Sequence, residues 1–349
     1  MLEQDMGSIA VGIAGATGYT GAELLRILTA HPRAEVLVLS SQSKAGQRVA
    51  EVLPPFAGVL ASRFAPTEAA SFQGLDAVFV CLPHGKAADL VAALRKANPT
   101  QVVVDLSADF RLQDAVAYQT WYKHTHPAPA LLAEAVYGLP ELFRPKLKGA
   151  KLVANPGCYP TGALLALAPL VRLGLSPGPF LVDSKSGVSG AGKEPRDDLH
   201  FPEANEALKA YGIGTHRHTP EIEQGIGLLG GKGPVNFTPH LVPMNRGILT
   251  TAYAPAPAGI TQAELDAAYH KSYDAEPFVQ VVAQPDVKHV RGSNQCHVSV
   301  HLVERTRTIV AVSAIDNLVK GAAGQAAQCM NAALGFPETE GLPRAGSGV

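Results

Sequence analysis

Apolar residues along the first 150 positions follow two alternating rhythms. Residues 9–14 form a short apolar run ending in glycines. Residues 21–30 then place Leu24, Leu25 and Leu28 on one face of a helix. Residues 35–39 read as a second strand. Residues 76–82 (DAVFVCL) are near-continuously apolar, as in a parallel strand buried on both faces. A helix over 87–96 and a strand over 101–106 follow. This alternation predicts a parallel sheet with helices on both sides, an α/β domain.

A second style begins near residue 158. Residues 164–173 have helical spacing. Strand-like runs follow at 180–184, 235–241, 248–253, 298–303 and 308–314. The partial polar/apolar alternation of 298–303 (VSVHLV) predicts a mostly antiparallel or mixed sheet with one face on helices, hence a second, α+β domain. Residues 229–234 and 255–260, rich in proline and glycine, read as loops. The last element predicted is one helix over 318–334, with an alanine-rich face, and the tail after Pro337 reads as frayed.

A length of 349 residues fits two domains. Hydrophobic residues at 46% and charged residues at 17% indicate a large core. With net charge −1 and no basic block, nucleic-acid and membrane-surface binding are not expected. No stretch approaches the roughly 18–20 apolar residues of a membrane span, and residues 1–8 lack the features of a signal or transit peptide. The four cysteines, Cys81, Cys158, Cys296 and Cys329, form neither a disulfide framework nor a CxxC pair. These features predict a cytoplasmic protein without a structural zinc site.

GATGYTG (15–21) joins the first strand to the first helix. Its G-x-x-G-x-x-G spacing is a variant of the dinucleotide fingerprint: glycines permit a tight turn and close backbone approach, and a helix N-terminus faces the diphosphate. The first domain is therefore predicted to be Rossmann-type. After the second strand, where an NAD enzyme usually carries Asp or Glu, the chain has Ser40, Ser41, Gln42, Ser43 and Lys44. Hydroxyls and a lysine there favour the 2′-phosphate of NADP, although the same composition also fits a solvated loop.

NPGCYPTG (155–162) lies between a strand and a helix, so Cys158 sits at a helix N-terminus, where the dipole and backbone amides favour a thiolate and could hold an oxyanion. Cys81, Cys296 and Cys329 lie within predicted strands or a helix and read as small core residues. An acid/base partner is available in THRHTPEI (215–222), where Thr219-Pro220 opens a helix. In an extended segment His216 and His218 point one way and Arg217 the other. The H-x-H pair could also bind metal, but no supporting ligand lies at suitable spacing, so no metal is assigned. His218, next to the helix cap, is the preferred proton carrier and His216 the fallback.

Taken together with LPHG (82–85), DLSADFR (105–111), SGVSGAGK (186–193), PHLVPMNRGI (239–248) and DNLVKGAAGQA (316–326), these motifs closely resemble the N-acetyl-gamma-glutamyl-phosphate reductase family of arginine biosynthesis. The resemblance runs from about residue 9 to 342. That family is similar to aspartate-semialdehyde dehydrogenase and, more distantly, to glyceraldehyde-3-phosphate dehydrogenase. The resemblance implies NADPH-dependent reduction of N-acetyl-L-glutamyl 5-phosphate to the 5-semialdehyde, with phosphate release, through a thioester on Cys158. It implies diphosphate contacts from Gly15, Thr17, Gly18, Tyr19 and Thr20, and 2′-phosphate contacts from Ser40 and Ser43. Ser186, Gly187, Ser189, Gly190 and Gly192 would form a loop near the nicotinamide, and Asn317 would reach the cofactor. That contact implies a discontinuous NADP domain, residues 1–157 plus 317–349, around a catalytic and oligomerisation domain of residues 158–316. Arg111 and Arg217 are candidates for the substrate's anions, because guanidinium grips such groups bidentately. A homodimer or homotetramer is implied. The alternatives are a lysine-pathway reductase of the aminoadipate phosphate analogue, free or carrier-bound, and aspartate-semialdehyde dehydrogenase. NPGCYPT favours the arginine pathway over the first, and the HRHTPEI and PHLVPMNRGI segments weigh against the second.

Overall fold

A computed structural model describes residues 7–348, so most of the 1–8 segment read for a leader lies outside the described residues. The described chain divides into two compact units. The first comprises 7–115, 125–155 and 323–342, and the second 116–124, 156–322 and 343–348.

The first unit holds six parallel strands: β1 (Ile9–Ala14), β2 (Ala34–Ser40), β3 (Ala77–Val80), β4 (Val102–Asp105), β5 (Val136–Tyr137) and β6 (Leu152–Ala154). Their spatial order is β2-β1-β3-β4-β6-β5. The expected parallel Rossmann-type sheet is therefore present. Val11, Ile13, Val78, Val80, Val103 and Val104 are fully buried, which is why these strands read as apolar runs rather than alternating ones. Helix Tyr19–Leu28 starts slightly earlier than its apolar spacing suggests, and it buries Leu24, Leu25 and Leu28. The chain leaves β1 for β2 on one side and reaches β3 on the other. The glycine turn after β1 thus sits at the reversal of strand order, where such sheets open a crevice for ligands.

The second unit holds seven strands: β7 (Phe180–Gly187), β8 (Lys209–Ala210), β9 (Val235–Val242), β10 (Ile248–Pro255), β11 (Val279–Val281), β12 (Cys296–Val303) and β13 (Thr308–Ile315). Their order is β11-β12-β13-β10-β7-β9-β8. The β11·β12 and β7·β9 pairs are parallel and the rest antiparallel, so the sheet is mixed, as expected. Helices Cys158–Arg172, Thr219–Leu228 and Gln262–Tyr273 pack on this sheet. Alternate residues of β10 (Ile248, Thr250, Ala252 and Ala254) are buried, as one helix-covered face requires. Helix Cys158–Arg172 is buried from Tyr159 to Val171. Gly162 lets its backbone approach the sheet: its carbonyl accepts from Ser313 Oγ at 2.8 Å, and a Cβ there would lie 3.1 Å from that oxygen.

The single helix expected over 318–334 is instead a π turn, Val319–Ala323, followed by α-helix Gly324–Leu334. The buried Asp316 carboxylate explains the start. Its Oδ1 accepts the Leu318 and Val319 amides, and Oδ2 accepts that of Gly292 at 2.7 Å. The division into units falls within this stretch, with Asn317 in the second unit and Gly324–Leu334 in the first.

Candidate active site

In the first unit, the turn after β1 is built for close backbone approach. Gly15 has φ +81°, and a Cβ there would lie 2.6 Å from the Cys81 carbonyl oxygen. A Cβ on Gly21 would lie 2.6 Å from the Gly15 oxygen. The Gly15 and Ala16 amides donate to the Ser40 carbonyl at 3.1 and 3.0 Å, tying the turn to β2. Gly18 is the N-cap of Tyr19–Leu28 and supplies no side-chain cap, and a Cβ on it would meet nothing closer than 3.9 Å. A glycine with open space before it, at uncapped helix amides, makes a cradle for an anion. Tyr19 is exposed beside it and Thr20 half-buried. The Thr17 hydroxyl lies 3.3 Å from that of Ser41.

Ser40 does not face this surface. It is fully buried as the last residue of β2, and its hydroxyl lies 2.9 Å from that of Thr67. Ser43 and Lys44 are exposed. Two exposed residues absent from the sequence reading join them: Arg48 and Arg63 face each other across an antiparallel bridge. Like charges directly opposed destabilise a ladder, and an anion between them would relieve the repulsion. Their proximity depends on a fold-back with no periodic signature.

Arg111 also departs from expectation. It is buried, with Nε donating to the Asn155 carbonyl at 2.8 Å and Nη2 to the Leu106 carbonyl at 3.0 Å. Its guanidinium braces the backbone leading toward the cysteine turn.

In the second unit, Cys158 is the first residue of its helix and is half-buried, with Gly157 as N-cap. The Gly157 amide donates to Glu221 Oε1 at 2.8 Å, and Glu221 is 1% exposed. A buried carboxylate thus ties the cysteine turn to the helix that follows His218. The Glu of TPEI, just after the Thr219-Pro220 helix start, is the sequence signal for this tie.

Residues 211–218 form turns rather than the extended segment expected, so strict alternation of the histidines does not apply. Both imidazoles still converge on Tyr159, the neighbour of Cys158. Ring centroids lie 5.7 Å from Tyr159 for His216, 5.8 Å for His218, and 4.8 Å between the two imidazoles. Tyr159 Oη lies 3.0 Å from Tyr211 Oη and donates to the His240 carbonyl at 3.3 Å. Burial first, and the neighbouring Arg217 charge second, lower the His216 pKa to about 4. His216 Nδ1 accepts the His218 amide at 3.2 Å, so that nitrogen carries no proton in the neutral ring. Arg217 is exposed, and its Cζ lies 5.3 Å from the Tyr122 ring centroid.

The loop after β7 is also tightly drawn. A Cβ on Gly187 would lie 2.8 Å from the Arg246 amide nitrogen and the Met244 oxygen, and one on Gly190 2.9 Å from Ser186 Oγ. Ser189 and Gly192 complete the 3-10 turn. Asn317 pins this loop rather than standing free for a ligand: Oδ1 accepts the Gly247 amide at 2.6 Å and Nδ2 donates to Ser189 Oγ at 3.0 Å.

Gly321, in the π turn, is pressed against the cysteine. A Cβ there would lie 2.9 Å from Cys158 Cβ and 3.3 Å from its Cα. With Cys158 as the nucleophile that the resemblance implies, Gly321→Ala is expected to displace it and lower turnover about tenfold or more, since small misplacement of a reacting group is costly. Affinity for the nicotinamide cofactor should be unchanged. Steady-state kinetics with a cofactor titration check this, and wild-type turnover would show the close packing to be inconsequential.

Of the other cysteines, Cys296 and Cys329 are fully buried. Cys81 follows β3, and burial, with the Asp105 charge second, pushes its thiol pKa up. Among the described residues no group of three or more His, Cys, Asp or Glu side chains could hold a metal ion. No described helix is long and apolar enough to cross a membrane.

Residues 10–150 match the family model described as semialdehyde dehydrogenase, NAD binding domain, and residues 158–317 match semialdehyde dehydrogenase, dimerisation domain. An N-acetyl-gamma-glutamyl-phosphate reductase of Symbiobacterium thermophilum is 51% identical over 97% of this chain and 99% of its own length. A protein of the same name from Rhodospirillum rubrum is 48% identical over 95% and 96%. Among solved structures, aspartate semialdehyde dehydrogenase II from Vibrio cholerae, complexed with ASA, aligns with TM-score 0.69 at 17% identity, over 93% of this chain and 98% of that one. Aspartate semialdehyde dehydrogenase with NADP from Candida albicans aligns at 0.67 and 15%, with the same coverage. At those identities the structures establish the fold alone.

Proposed function

The chain belongs to the N-acetyl-gamma-glutamyl-phosphate reductase family of semialdehyde dehydrogenases, and from that premise we propose that it reduces N-acetyl-L-glutamyl 5-phosphate to N-acetyl-L-glutamate 5-semialdehyde, with NADPH as reductant, in arginine biosynthesis. The carrying observation is Cys158 at the first position of a buried helix, beside a tyrosine on which two histidines rest.

The helix dipole favours the Cys158 thiolate, which attacks the acyl-phosphate carbonyl. Backbone donors of the first helical turn stabilise the tetrahedral oxyanion, the carbon–oxygen bond to phosphate breaks, and a thioester remains. NADPH, when bound, supplies the hydride that this thioester carbonyl accepts. The oxygen takes a proton from an acid to give the hemithioacetal on Cys158; the conjugate base then takes that proton back, the carbon–sulfur bond breaks, the aldehyde leaves and the Cys158 thiolate is regenerated. His218 is assigned that proton. His216 takes one only near pH 4, far from neutral working conditions, and its Nδ1 is already engaged with the His218 amide. Glu221 fixes the two segments relative to each other.

The glycine cradle at 15–21 fits a dinucleotide diphosphate, held by Gly15, Thr17, Gly18, Tyr19 and Thr20. The preference for NADP rests on Ser43 and Lys44, joined by Arg48 and Arg63. Replacing Lys44 and Arg48 together by glutamate is expected to weaken NADPH about ten- to a hundredfold and leave NADH nearly unchanged, because only the phosphate-bearing cofactor loses charge-assisted bonds. Fluorescence titration of both cofactors reads this. Arg217 is assigned to a substrate anion. The dimerisation-domain match over residues 158–317 supports self-association through that segment.

Assaying N-acetyl-L-glutamyl 5-phosphate, L-aspartyl 4-phosphate and the aminoadipate analogue side by side tests the substrate. A higher kcat/KM for either competitor would replace this reading.

A further inference from the structure

Strand β13 and the turn that follows it meet the helix of Cys158 at two levels. Within the strand, Ser313 Oγ donates to the Gly162 carbonyl at 2.8 Å, about one turn along the helix from the cysteine. Beyond the strand, the π turn brings Gly321 against Cys158 itself, where an added Cβ would lie 2.9 Å from the cysteine Cβ. Between these two contacts along the chain stands Asp316, a fully buried carboxylate.

Both oxygens of Asp316 are engaged. Oδ1 accepts the Leu318 amide at 2.8 Å and the Val319 amide at 3.2 Å, at the start of the π turn. Oδ2 accepts the Gly292 amide at 2.7 Å. The Arg246 guanidinium reaches both oxygens, with Nη2 3.1 Å from each. These donors offset the cost of burying the charge. The Asp316 backbone carbonyl in turn accepts the Gly321 amide at 2.9 Å, the wide i to i+5 closure of a π turn. Such turns are rare and recur at functional sites.

We propose that Asp316 is a positioning residue for the reaction: by holding the start of the π turn it seats Gly321 against Cys158 and keeps the nucleophile in place at the helix start. The proposal rests on Cys158 as the nucleophile of the reductase reading. The first N–H groups of a helix have no partner in its own ladder, so its first residue is held less firmly from within than those that follow. Gly321 backs that residue from outside, and having no side chain it has nothing that can rotate away. Displacement of a reacting group by about 1 Å costs up to about 100-fold in rate.

Asp316→Ala is expected to lower kcat about ten- to hundredfold in the reverse reaction, with N-acetyl-L-glutamate 5-semialdehyde, phosphate and NADP. The KM values should stay within about threefold, because the loss falls on the reacting geometry rather than on binding. Asp316→Asn still offers one oxygen to the turn but sets an amide nitrogen against the Gly292 or Arg246 donors, so it should lose only about three- to tenfold. Combining Asp316→Ala with Gly321→Ala should leave kcat within about threefold of the worse single variant, since both act on one contact. If the alanine variant does not fold, Asp316→Asn takes its place in the same pairing. Wild-type kcat in the folded variant would reduce Asp316 to a support of the fold. A rise in KM at unchanged kcat would move its effect to binding through Arg246. Losses that multiply in the double variant would separate it from Gly321. Each of these results overturns the proposal. If the wild-type protein does not oxidise the semialdehyde, or Cys158→Ala keeps its turnover, the reductase reading fails first. The positioning role fails by itself when wild type is active, Cys158→Ala is not, and the Asp316 variants match wild type.

Discussion

Cys158→Ala is expected to lower reductase turnover about 10³- to 10⁶-fold while leaving NADPH affinity intact. Covalent catalysis has no substitute here. Cys296 and Cys329 are fully buried, and Cys81 is held as a thiol by burial. Removing a nucleophile that works together with its acid/base partner typically costs that much, and the residue of catalysis comes from positioning and oxyanion donors alone. The proposed cofactor turn, residues 15–21, is a separate stretch of chain in the first unit. Steady-state kinetics and NADPH titration on the same preparation test both halves. Appreciable residual reductase activity in the alanine variant would refute the thioester.

His218→Gln is expected to reduce kcat about 10²- to 10⁴-fold, the usual contribution of a placed general acid/base. His216→Gln should cost much less. His216 is held neutral until about pH 4, by burial and then by Arg217, so it neither gains nor loses a proton across the working range. Any acidic limb of the kcat/KM profile near neutral pH should therefore survive in His216→Gln. Full pH profiles of the two variants decide between them, and the reverse ranking would exchange the roles.

Much of this protein is legible from its order of residues. β3 and β4 appear as apolar blocks because burial on both faces leaves no room for polar alternation, and helix Tyr19–Leu28 appears because one buried stripe recurs with the helical period. GATGYTG and NPGCYPTG were readable for a related reason: a strand-to-helix turn needs particular residues at consecutive positions, and local geometry leaves a local trace.

Other features required coordinates. Ser40 turned inward and Arg111 spent itself on carbonyl oxygens, because residue type does not tell a hydroxyl or guanidinium which way to face. The final helix opened with a π turn, since Asp316 captures the Leu318 and Val319 amides and Gly321 must clear Cys158. Glu221 on Gly157, the histidines on Tyr159, Arg48 opposite Arg63 and Arg217 on Tyr122 all join positions well separated along the chain. Periodicity and turn chemistry record interactions within a few residues. A contact made by folding distant segments together repeats nowhere, so composition and spacing announced the chemistry while packing chose the neighbours that aim it.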